Sequence, residues 1–266
     1  MKLVQYLMGA TIACSLLAAS ATAACTKTVR WYDDAPHSYR ADNGEIRGFD
    51  VELSREVLRR IGCQAHYVEM PWARALVELE SGRLDILPGS YRSPERERIA
   101  YFSIPALQSP NLLYLSRAAA AKYKLGKLED LLATDLRLGV QLGVSYGDSF
   151  DSMKSDPRFR RQVSTVTLRR NAWKMMEMGR IDGMIADQAT AELELKELGL
   201  AGKVQSSGIV VSTKTAMFAF SKRTITPAFV ATFNAALQSM IDDGAYQLLH
   251  KRYLTCEPKI RLIGCK

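Results

Sequence analysis

Residues 81–89 read SGRLDILPG, and residues 178–186 read MGRIDGMIA. In both segments a Gly-Arg pair is followed by an apolar residue, an aspartate and a run that suits a β-strand. Each segment also follows an apolar-periodic stretch that suits a helix and ends near the glycine. The same helix-to-strand passage therefore occurs once in each half of the chain, and it predicts two related α/β units.

Alternating strand and helix patterns surround the first segment. The strand-like runs TVRWY, AHYVEM and RLDILPG are separated by two helix-like stretches. The first of these, DVELSREVLRRIG, places Leu53, Val57 and Leu58 on one helical face, and the second has Pro71 and Trp72 at its start. This alternation predicts a parallel sheet covered by helices.

The alternation restarts after residue 130, where LRLGVQLG, VSTVTL and RIDGMIA suit strands and NAWKMMEMG and DQATAELELKELG suit helices. Two apolar, strand-like stretches, residues 109–117 and 209–220, can carry the chain between the units. We therefore predict an α/β protein of two lobes, each a sheet flanked by helices, with these crossover strands as the hinge. Lobe 1 is discontinuous, comprising residues 24–112 and 212–266, and lobe 2 comprises residues 113–211.

The N-terminus has the pattern of a secretory signal peptide. Lys2 precedes an apolar run to Leu17, and small residues end in the Ala-x-Ala pattern of residues 21–23. We predict a signal peptide over residues 1–23, cleaved before Ala24. The alternative is a lipid anchor on Cys25, but Thr22 stands where a lipobox prefers a leucine-like side chain. No later segment approaches the roughly 18 uncharged apolar residues that a membrane helix requires.

Four cysteines remain after residue 23, namely Cys25, Cys63, Cys256 and Cys265. An even number in an exported chain favours disulfides, and four cysteines allow three connectivities. Cys25 and Cys63 each precede a strand, with one helix between them, so neighbouring parallel strands would place them side by side. We predict the pairs Cys25–Cys63 and Cys256–Cys265. Metal ligation is disfavoured because the spacings match no zinc pattern.

The chain carries a formal net charge of +8, and its basic residues are scattered rather than clustered. Scattered basic residues without interleaved aromatics disfavour a nucleic-acid partner. We interpret the charge as solvated basic faces on a monomer, with an anionic ligand as the second interpretation.

A ligand site is predicted from the sheet pattern. In open α/β sheets, ligands bind beyond the carboxyl ends of the strands, where loops and helix N-termini present donors and side chains. This rule selects the loop over residues 33–39, the start of the Trp72 helix, the loop over residues 89–96, the loop over residues 143–146, and Asp187. Two lobes that face each other would bring these ends together in a cleft.

These segments resemble the family 3 periplasmic solute-binding proteins that serve polar amino acid ABC transporters. The resemblance covers nearly the whole chain after residue 23, and its landmarks are GEIRGFDVELSREVLRRIG, PWARALVELESGRLDILPGSYRSPERERIAYFSIP, LGVQLGVSYG, GRIDGMIAD and DDGAYQLLHKRYL. It implies the type II periplasmic binding protein fold, a periplasmic location and no cofactor. It also implies capture of a small polar ligand, an amino acid or related zwitterion, for delivery to an ABC permease.

The resemblance assigns roles to individual residues. Arg96 would grip the ligand carboxylate, Asp187 would accept the α-ammonium, and Trp72 would pack on the ligand's side chain. Ser90 and Ser145 would contact the carboxylate. The structural alternatives are a solvated turn arginine for Arg96, a helix cap for Asp187 and a core residue for Trp72. The other candidate cleft residues are Asp34, Tyr39, Arg74 and Tyr146.

The chain departs from the family where the segment between Ser90 and Arg96 is one residue shorter and Gly89 and Arg92 replace hydroxyl residues. Carboxylate recognition is therefore expected to differ in detail, and the ligand need not be a standard amino acid.

The same scaffold also suits an enzyme, because the fold resembles that of periplasmic cyclohexadienyl dehydratases, and Glu69 or Asp34 are candidate acids. The sequence offers no nucleophile motif, metal cluster or cofactor loop, so a binding protein without catalytic activity is the prediction. A third hypothesis, a sensory module, requires a separate signalling partner because no signalling segment precedes Lys266.

Overall fold

The computed structural model describes residues 25–254. The predicted signal peptide with its cleavage point and the predicted Cys256–Cys265 bridge lie outside the described residues. Within the described part of the chain, no helix is both long and apolar enough to cross a membrane.

Strands and helices alternate along the described chain. The strands are β1 (Cys25–Trp31), β2 (Tyr39–Arg40), β3 (Ile46–Arg47), β4 (Cys63–Glu69), β5 (Ile86–Ser90), β6 (Ala100–Phe102), β7 (Leu107–Gln108), β8 (Asn111–Ser116), β9 (Leu138–Gln141), β10 (Val163–Val166), β11 (Gly183–Asp187), β12 (Val204–Ser212) and β13 (Thr215–Ser221). The helices are α1 (Phe49–Arg60), α2 (Trp72–Ser81), α3 (Pro94–Glu97), α4 (Arg117–Lys122), α5 (Asp148–Met153), α6 (Pro157–Gln162), α7 (Arg169–Glu177), α8 (Gln188–Glu197), α9 (Pro227–Asp242) and α10 (Ala245–Tyr253). A 3-10 helix spans Leu128–Ala133.

The sheet of the first lobe has the strand order β4-β1-β5-β13-β6, and β7 also pairs with β13. Strand β1 runs parallel to both β4 and β5, whereas β13 is antiparallel to its partners. The register of β1 and β4 sets Cys25 opposite Cys63, and the two form a disulfide with their Cα atoms 4.5 Å apart. The predicted Cys25–Cys63 pair is therefore confirmed.

The sheet of the second lobe has the order β10-β9-β11-β8-β12. Its core of β10, β9 and β11 is parallel, and β8 and β12 are antiparallel neighbours. The chain passes from the first sheet to the second between Gln108 and Asn111, and it returns between Ser212 and Thr215. The predicted two-lobed α/β fold is confirmed, while the lobe boundaries at residues 112, 113, 211 and 212 stay a prediction.

Alternating side chains of single strands feed the separate cores on the two faces of each sheet. In β13, Phe218 and Phe220 pack with α1, α9 and α10, whereas Ala219 between them packs on the α2 side. In β11, Met184 and Ile185 likewise belong to cores on opposite faces. Full burial of each phenylalanine contributes about 1.5–3 kcal/mol to the free energy of unfolding. Burial of this kind stabilises the packing of helices on both faces of each sheet.

The carboxyl ends of the parallel strands point towards the other lobe. Trp72 follows β4, and the segment of Arg96 follows β5, so both lie at this edge of the first lobe. Gly143 and Ser145 follow β9, and Asp187 ends β11, so they lie at the matching edge of the second lobe. The sheet topology thus places loops of both lobes around one interlobe space.

Candidate functional site

A cavity of about 120 Å³ lies between the lobes. Apolar atoms of Trp72, Leu107 and Val144 form part of its wall. A space of this size suits a small molecule, since one water occupies about 30 Å³ of liquid. The polar and charged side chains that line it are those of Arg30, His37, Asp50, Tyr91, Arg96, Ser109, Asn111, Ser145 and Asp187.

Arg96 is placed by the short helix α3. Ser93 caps this helix, and its Oγ accepts a hydrogen bond from the Arg96 backbone N–H at 3.3 Å. The side chain is buried, and its Nη1 donates to Ser90 Oγ at 3.3 Å and to the Tyr91 carbonyl at 3.0 Å. Its Nη2 donates across the cleft to the Gly143 carbonyl at 3.0 Å. Arg96 is therefore a buried cation at the cavity wall, not a solvated turn residue.

Trp72 forms the wall next to Arg96. It is the first residue of α2, after Pro71 at the N-cap, and its Nε1 donates to the Gly143 carbonyl at 3.0 Å. A Cβ at position 143 would lie 3.3 Å from Trp72 Cδ1, so glycine there lets the second lobe approach closely. The guanidinium carbons of Arg30 and Arg96 each lie 5.6 Å from the indole centroid, within cation–π range.

Asp187 serves as a helix cap and a cavity residue at once. Its Oδ1 accepts hydrogen bonds from the backbone N–H and the hydroxyl of Thr190, each at 3.0 Å, at the start of α8. The same oxygen lies 3.4 Å from Nε2 of His37 in the first lobe. Burial alone would raise the pKa of Asp187, but the hydrogen bond and charge of His37, with help from Ser109, lower it to about 2.

His37 completes a pair with Asp187 across the cleft. Burial disfavours its charged form, but the hydrogen bond to Asp187 and the charges of Asp50 and Asp187 outweigh burial and raise the pKa of His37 to about 9. The loop that carries His37 lies on the start of α1, where the His37 carbonyl accepts from the Asp50 N–H at 2.9 Å. A Cβ at Gly48, where φ is +123°, would come within 2.4 Å of that carbonyl oxygen, so glycine is required for this close approach.

Arg30 and Asp50 line the cavity without having been predicted there. Arg30 lies in β1, is 8% exposed, and donates from Nε to the Met70 carbonyl at 3.2 Å. Asp50 lies in the first turn of α1, and burial raises its pKa to about 6. In the sequence, Arg30 stands out only as a charged residue within a strand-like run, and Asp50 only as part of the landmark GEIRGFDVELSREVLRRIG. The other unpredicted polar lining residues are Tyr91, Ser109 and Asn111.

Ser90 and Tyr146, both predicted at the site, lie behind its wall. Ser90 is fully buried at the end of β5, and it contacts the cavity only through its hydrogen bond with Arg96. Tyr146 is buried in the core of the second lobe, where its hydroxyl accepts from the Gln141 N–H at 2.8 Å. Ser145 next to it lines the cavity.

Arg74 and Tyr39, also predicted at the site, lie away from the cavity. The Arg74 side chain is 70% exposed and pairs with Glu78 one turn along α2, because two residues after Trp72 the helix has turned to its opposite side. Tyr39 begins the β2–β3 hairpin, and its ring lies edge-on to Tyr253 with the centroids 6.5 Å apart.

Asp34, the last predicted residue, joins the lobes beside the cavity. It forms an ion pair with Arg169 at the start of α7. Arg169 also donates from Nε to Glu194 at 2.9 Å, and the Trp173 indole N–H donates to Glu194 at 2.5 Å. Glu194 is 2% exposed, so its carboxylate has little contact with water. The hydrogen bonds from Arg169 and Trp173 take the place of hydration for this buried charge.

No group of three or more His, Cys, Asp or Glu side chains within residues 25–254 is arranged to hold a metal ion. The titratable groups at the cavity instead form opposed charges from two lobes, an arrangement that recognises a charged small molecule.

Comparisons with known proteins agree with this architecture. The chain is 24% identical over 231 residues to the L-cystine-binding protein TcyJ of Escherichia coli K12. The match covers 82% of this chain and 78% of that protein. A shorter match, 35% identical over 77 residues and 29% of each chain, is to the cyclohexadienyl dehydratase of Pseudomonas aeruginosa. The P235GK mutant of ArgBP from T. maritima has a similar fold, with 22% identity and a TM-score of 0.73 over 86% of this chain and 94% of that one.

The family of the chain follows from a match along almost all of its described length. A family model for bacterial extracellular solute-binding proteins, family 3, matches residues 29–255, which include every polar cavity residue and both sheets apart from the first four residues of β1. The two-lobed fold is that of the type II periplasmic binding proteins. The chain therefore belongs to the family 3 bacterial extracellular solute-binding proteins.

Proposed function

We propose that this protein captures a small zwitterion, an amino acid or a close relative, in the interlobe cavity. The observation that carries the proposal is the placement of Arg96 on one lobe and Asp187 on the other, with both side chains lining the same cavity. A zwitterion presents a carboxylate to the arginine and an ammonium to the aspartate, so it binds both lobes at once. Names of relatives, such as the L-cystine-binding protein, support the same ligand class.

Binding exchanges existing contacts for stronger ones. Arg96 donates to the neutral carbonyls of Tyr91 and Gly143, and a ligand carboxylate is a stronger acceptor for a guanidinium than a carbonyl oxygen is. Asp187 contacts His37 at 3.4 Å, a long hydrogen bond that a ligand ammonium can replace or share. Trp72 and Ser145 line the same cavity, and in the proposed complex the indole packs on the rest of the ligand while the Ser145 hydroxyl contacts its carboxylate.

The proposed setting is the bacterial periplasm. Cleavage before Ala24 releases a monomer that binds its ligand without a cofactor or nucleic acid, and the closed form docks on an ABC permease in the inner membrane. Lobe closure around a ligand is the switch that a permease can recognise, because both lobes must be in place to form one docking face.

A second candidate function is dehydration of a prephenate-like substrate. Two observations favour it, namely the partial match to a cyclohexadienyl dehydratase and the cavity acid Asp50, whose pKa is raised by burial to about 6. A group with this pKa can donate a proton near neutral pH. Incubation with prephenate or arogenate, followed by product absorbance, tests this candidate, and turnover abolished in Asp50→Asn would replace the binding proposal.

The first prediction concerns thermal unfolding of the ligand-stripped protein against amino acids, opines, polyamines and small organic acids. A ligand that binds the native state raises the midpoint, and at a concentration of 100 times its Kd it adds about 2.7 kcal/mol to the unfolding free energy. We expect a zwitterion to produce this rise, and we expect Arg96→Ala and Asp187→Ala each to remove it.

Arg74→Ala is the matched control, because it removes an exposed arginine of the same lobe outside the cavity. It should keep the full ligand-induced rise. A panel in which no zwitterion raises the midpoint, or a rise that persists in both Arg96→Ala and Asp187→Ala, would refute the proposed function.

A further inference from the structure

The cavity holds a second arginine besides Arg96. Arg30 is 8% exposed and lies in β1, an interior strand of the first-lobe sheet, where an apolar side chain is the usual occupant. Its Nε is used by the Met70 carbonyl. Among the described residues, neither of its Nη atoms has a hydrogen-bond partner or a carboxylate within 4 Å. Both Nη atoms retain some exposed surface.

These Nη donors are therefore available to the cavity that Arg30 lines. A buried guanidinium without an acceptor costs stability, because its N–H groups lose water and gain nothing in return. The structure nevertheless keeps this side chain in place with the Met70 carbonyl and the ring of Tyr32, whose centroid lies 5.6 Å from the guanidinium carbon. A cation held in this way is prepared for an anion that arrives with the ligand.

The charges around the cavity lead to the same conclusion. Its lining carries three cationic side chains, those of Arg30, His37 and Arg96, and two carboxylates, those of Asp50 and Asp187. Nearby Asp34 is a third carboxylate that acts on Arg30 through its charge, but its ion pair is with Arg169, which also pairs with Glu194. Among the described residues neither Arg30 nor Arg96 has a carboxylate within 4 Å, so a ligand with two anionic groups supplies a partner for each.

The maximum distance between the two guanidinium groups shows how long a ligand must be to reach both of them. The guanidinium carbons of Arg30 and Arg96 are no more than about 11 Å apart, because each lies 5.6 Å from the same Trp72 centroid. A carboxylate carbon stands roughly 4 Å from the guanidinium carbon that it pairs with. A diacid of four or five carbons is therefore long enough to reach both arginines even at this maximum separation.

We infer that Arg30 forms a second anion subsite and that the ligand is a small zwitterion with an additional acidic group, of the aspartate or glutamate type. This inference rests on the proposed function, in which Arg96 and Asp187 hold the α-carboxylate and the α-ammonium. Arg30 then distinguishes an acidic side chain from its neutral amide, a pair of nearly equal size and shape.

The test is calorimetric titration of the protein with L-glutamate, L-glutamine, L-aspartate, L-asparagine and glutarate at pH 7.5. We expect the acidic member of each pair to bind at least tenfold more tightly than its amide. Arg30→Met should reduce that ratio to about twofold and leave amide binding nearly unchanged, and Arg30→Lys should keep part of the preference because it keeps the charge. Arg74→Met, an exposed arginine outside the cavity, is the control and should keep the full ratio.

The outcomes separate the inference from the function on which it rests. Equal or tighter binding of the amides by the native protein, or an unchanged ratio in Arg30→Met, overturns the acidic subsite and leaves the zwitterion proposal standing. Binding of glutarate without binding of any zwitterion overturns the proposed function and retains the Arg30 subsite. Binding of none of the five compounds overturns the acidic subsite, and the wider thermal panel then decides the proposed function. If Arg30→Met does not fold, the native ratios and Arg30→Lys decide.

Discussion

His37 is a residue whose charge depends on its position between the lobes. Its pKa rises to about 9 in the folded protein, despite burial, because Asp187 and Asp50 favour the imidazolium. A group whose folded pKa lies above its ordinary value stabilises the protein most below that ordinary value, and the contribution is lost as the pH rises through the folded pKa. Asp187, whose pKa is about 2, is ionised throughout this range.

We predict that His37→Gln lowers the free energy of unfolding by on the order of 2 kcal/mol at pH 6 and by much less at pH 9.5. Urea unfolding of both proteins across this range measures the difference. His66→Gln is the control, because His66 is an exposed residue of β4 far from the cleft. A difference between the native protein and His37→Gln that is constant with pH would show that the imidazole is uncharged.

Sequence patterns predicted some of the residues that line the cavity and missed others, including the charged residues Arg30 and Asp50. Trp72, Arg96, Ser145 and Asp187 line the cavity as positioned by the strand-end rule and the family resemblance. The predicted residues that lie outside the cavity depend on where each residue falls around its helix. Arg74, for example, lies on the side of α2 that faces away from the cleft. Arg30 was missed because one charged residue in a strand pattern gives no indication of which face it occupies or what it meets across the sheet edge.

At the scale of elements, helices α7 and α8 are joined by one buried acid. Glu194 on α8 accepts from the Trp173 indole and from Arg169, both on α7. Removal of one partner from a buried ion pair leaves the other charge without compensation, at a cost of about 3–5 kcal/mol. We predict that Glu194→Leu lowers the unfolding free energy by roughly 3 kcal/mol, since Asp34 still pairs with Arg169.

Glu197→Gln, three residues further along α8, is the control for this prediction. Glu197 pairs with Arg170 at the surface, where an ion pair contributes about 0–1 kcal/mol. Urea unfolding of the two variants should therefore give losses that differ by a factor of three or more. Equal losses would mean that the buried network contributes no more than a surface pair.

The longer elements could be predicted from the sequence because their periodicity is set by their own burial. Helix α1 has its predicted apolar face, with Leu53, Val57 and Leu58 at 0% exposure. Short elements such as α4, α6 and the β2–β3 hairpin were not predicted, because six-residue helices and two-residue strands form only through contacts made elsewhere in the fold. The crossings were predicted as whole strands, but most of 109–117 belongs to β8 of the second sheet.

At the scale of the whole molecule, the lobes are held together by side chains on both sides of the cavity. Trp72 and Arg96 donate to the Gly143 carbonyl on one side, and Asp34 pairs with Arg169 on the other. The charge of Arg169 lowers the pKa of the Asp34 carboxyl, although burial acts against it. Asp34 thus connects the two lobes without lining the cavity.

We predict that Asp34→Asn opens the ligand-free protein. Small-angle scattering should show a larger radius of gyration than for the native protein, and a saturating ligand should return it to the native ligand-bound value. The apparent affinity should fall in proportion to the loss of the closed population. Glu69→Gln, which removes an exposed charge that pairs with Arg40 within the first lobe, should change neither quantity. An unchanged radius in Asp34→Asn would show that this ion pair does not control closure.

The two crossings also bear on how such a chain can be assembled and altered. Asn111 and Ser212, the first residue of β8 and the last of β12, are partners in the ladder, so the second lobe starts and finishes at one place. A domain whose two ends lie close together can be inserted into or removed from another protein without distorting the rest of that protein. The same junction is a natural point for recombination between relatives, in which one parent supplies the half of the pocket with Arg96 and the other supplies the half with Asp187.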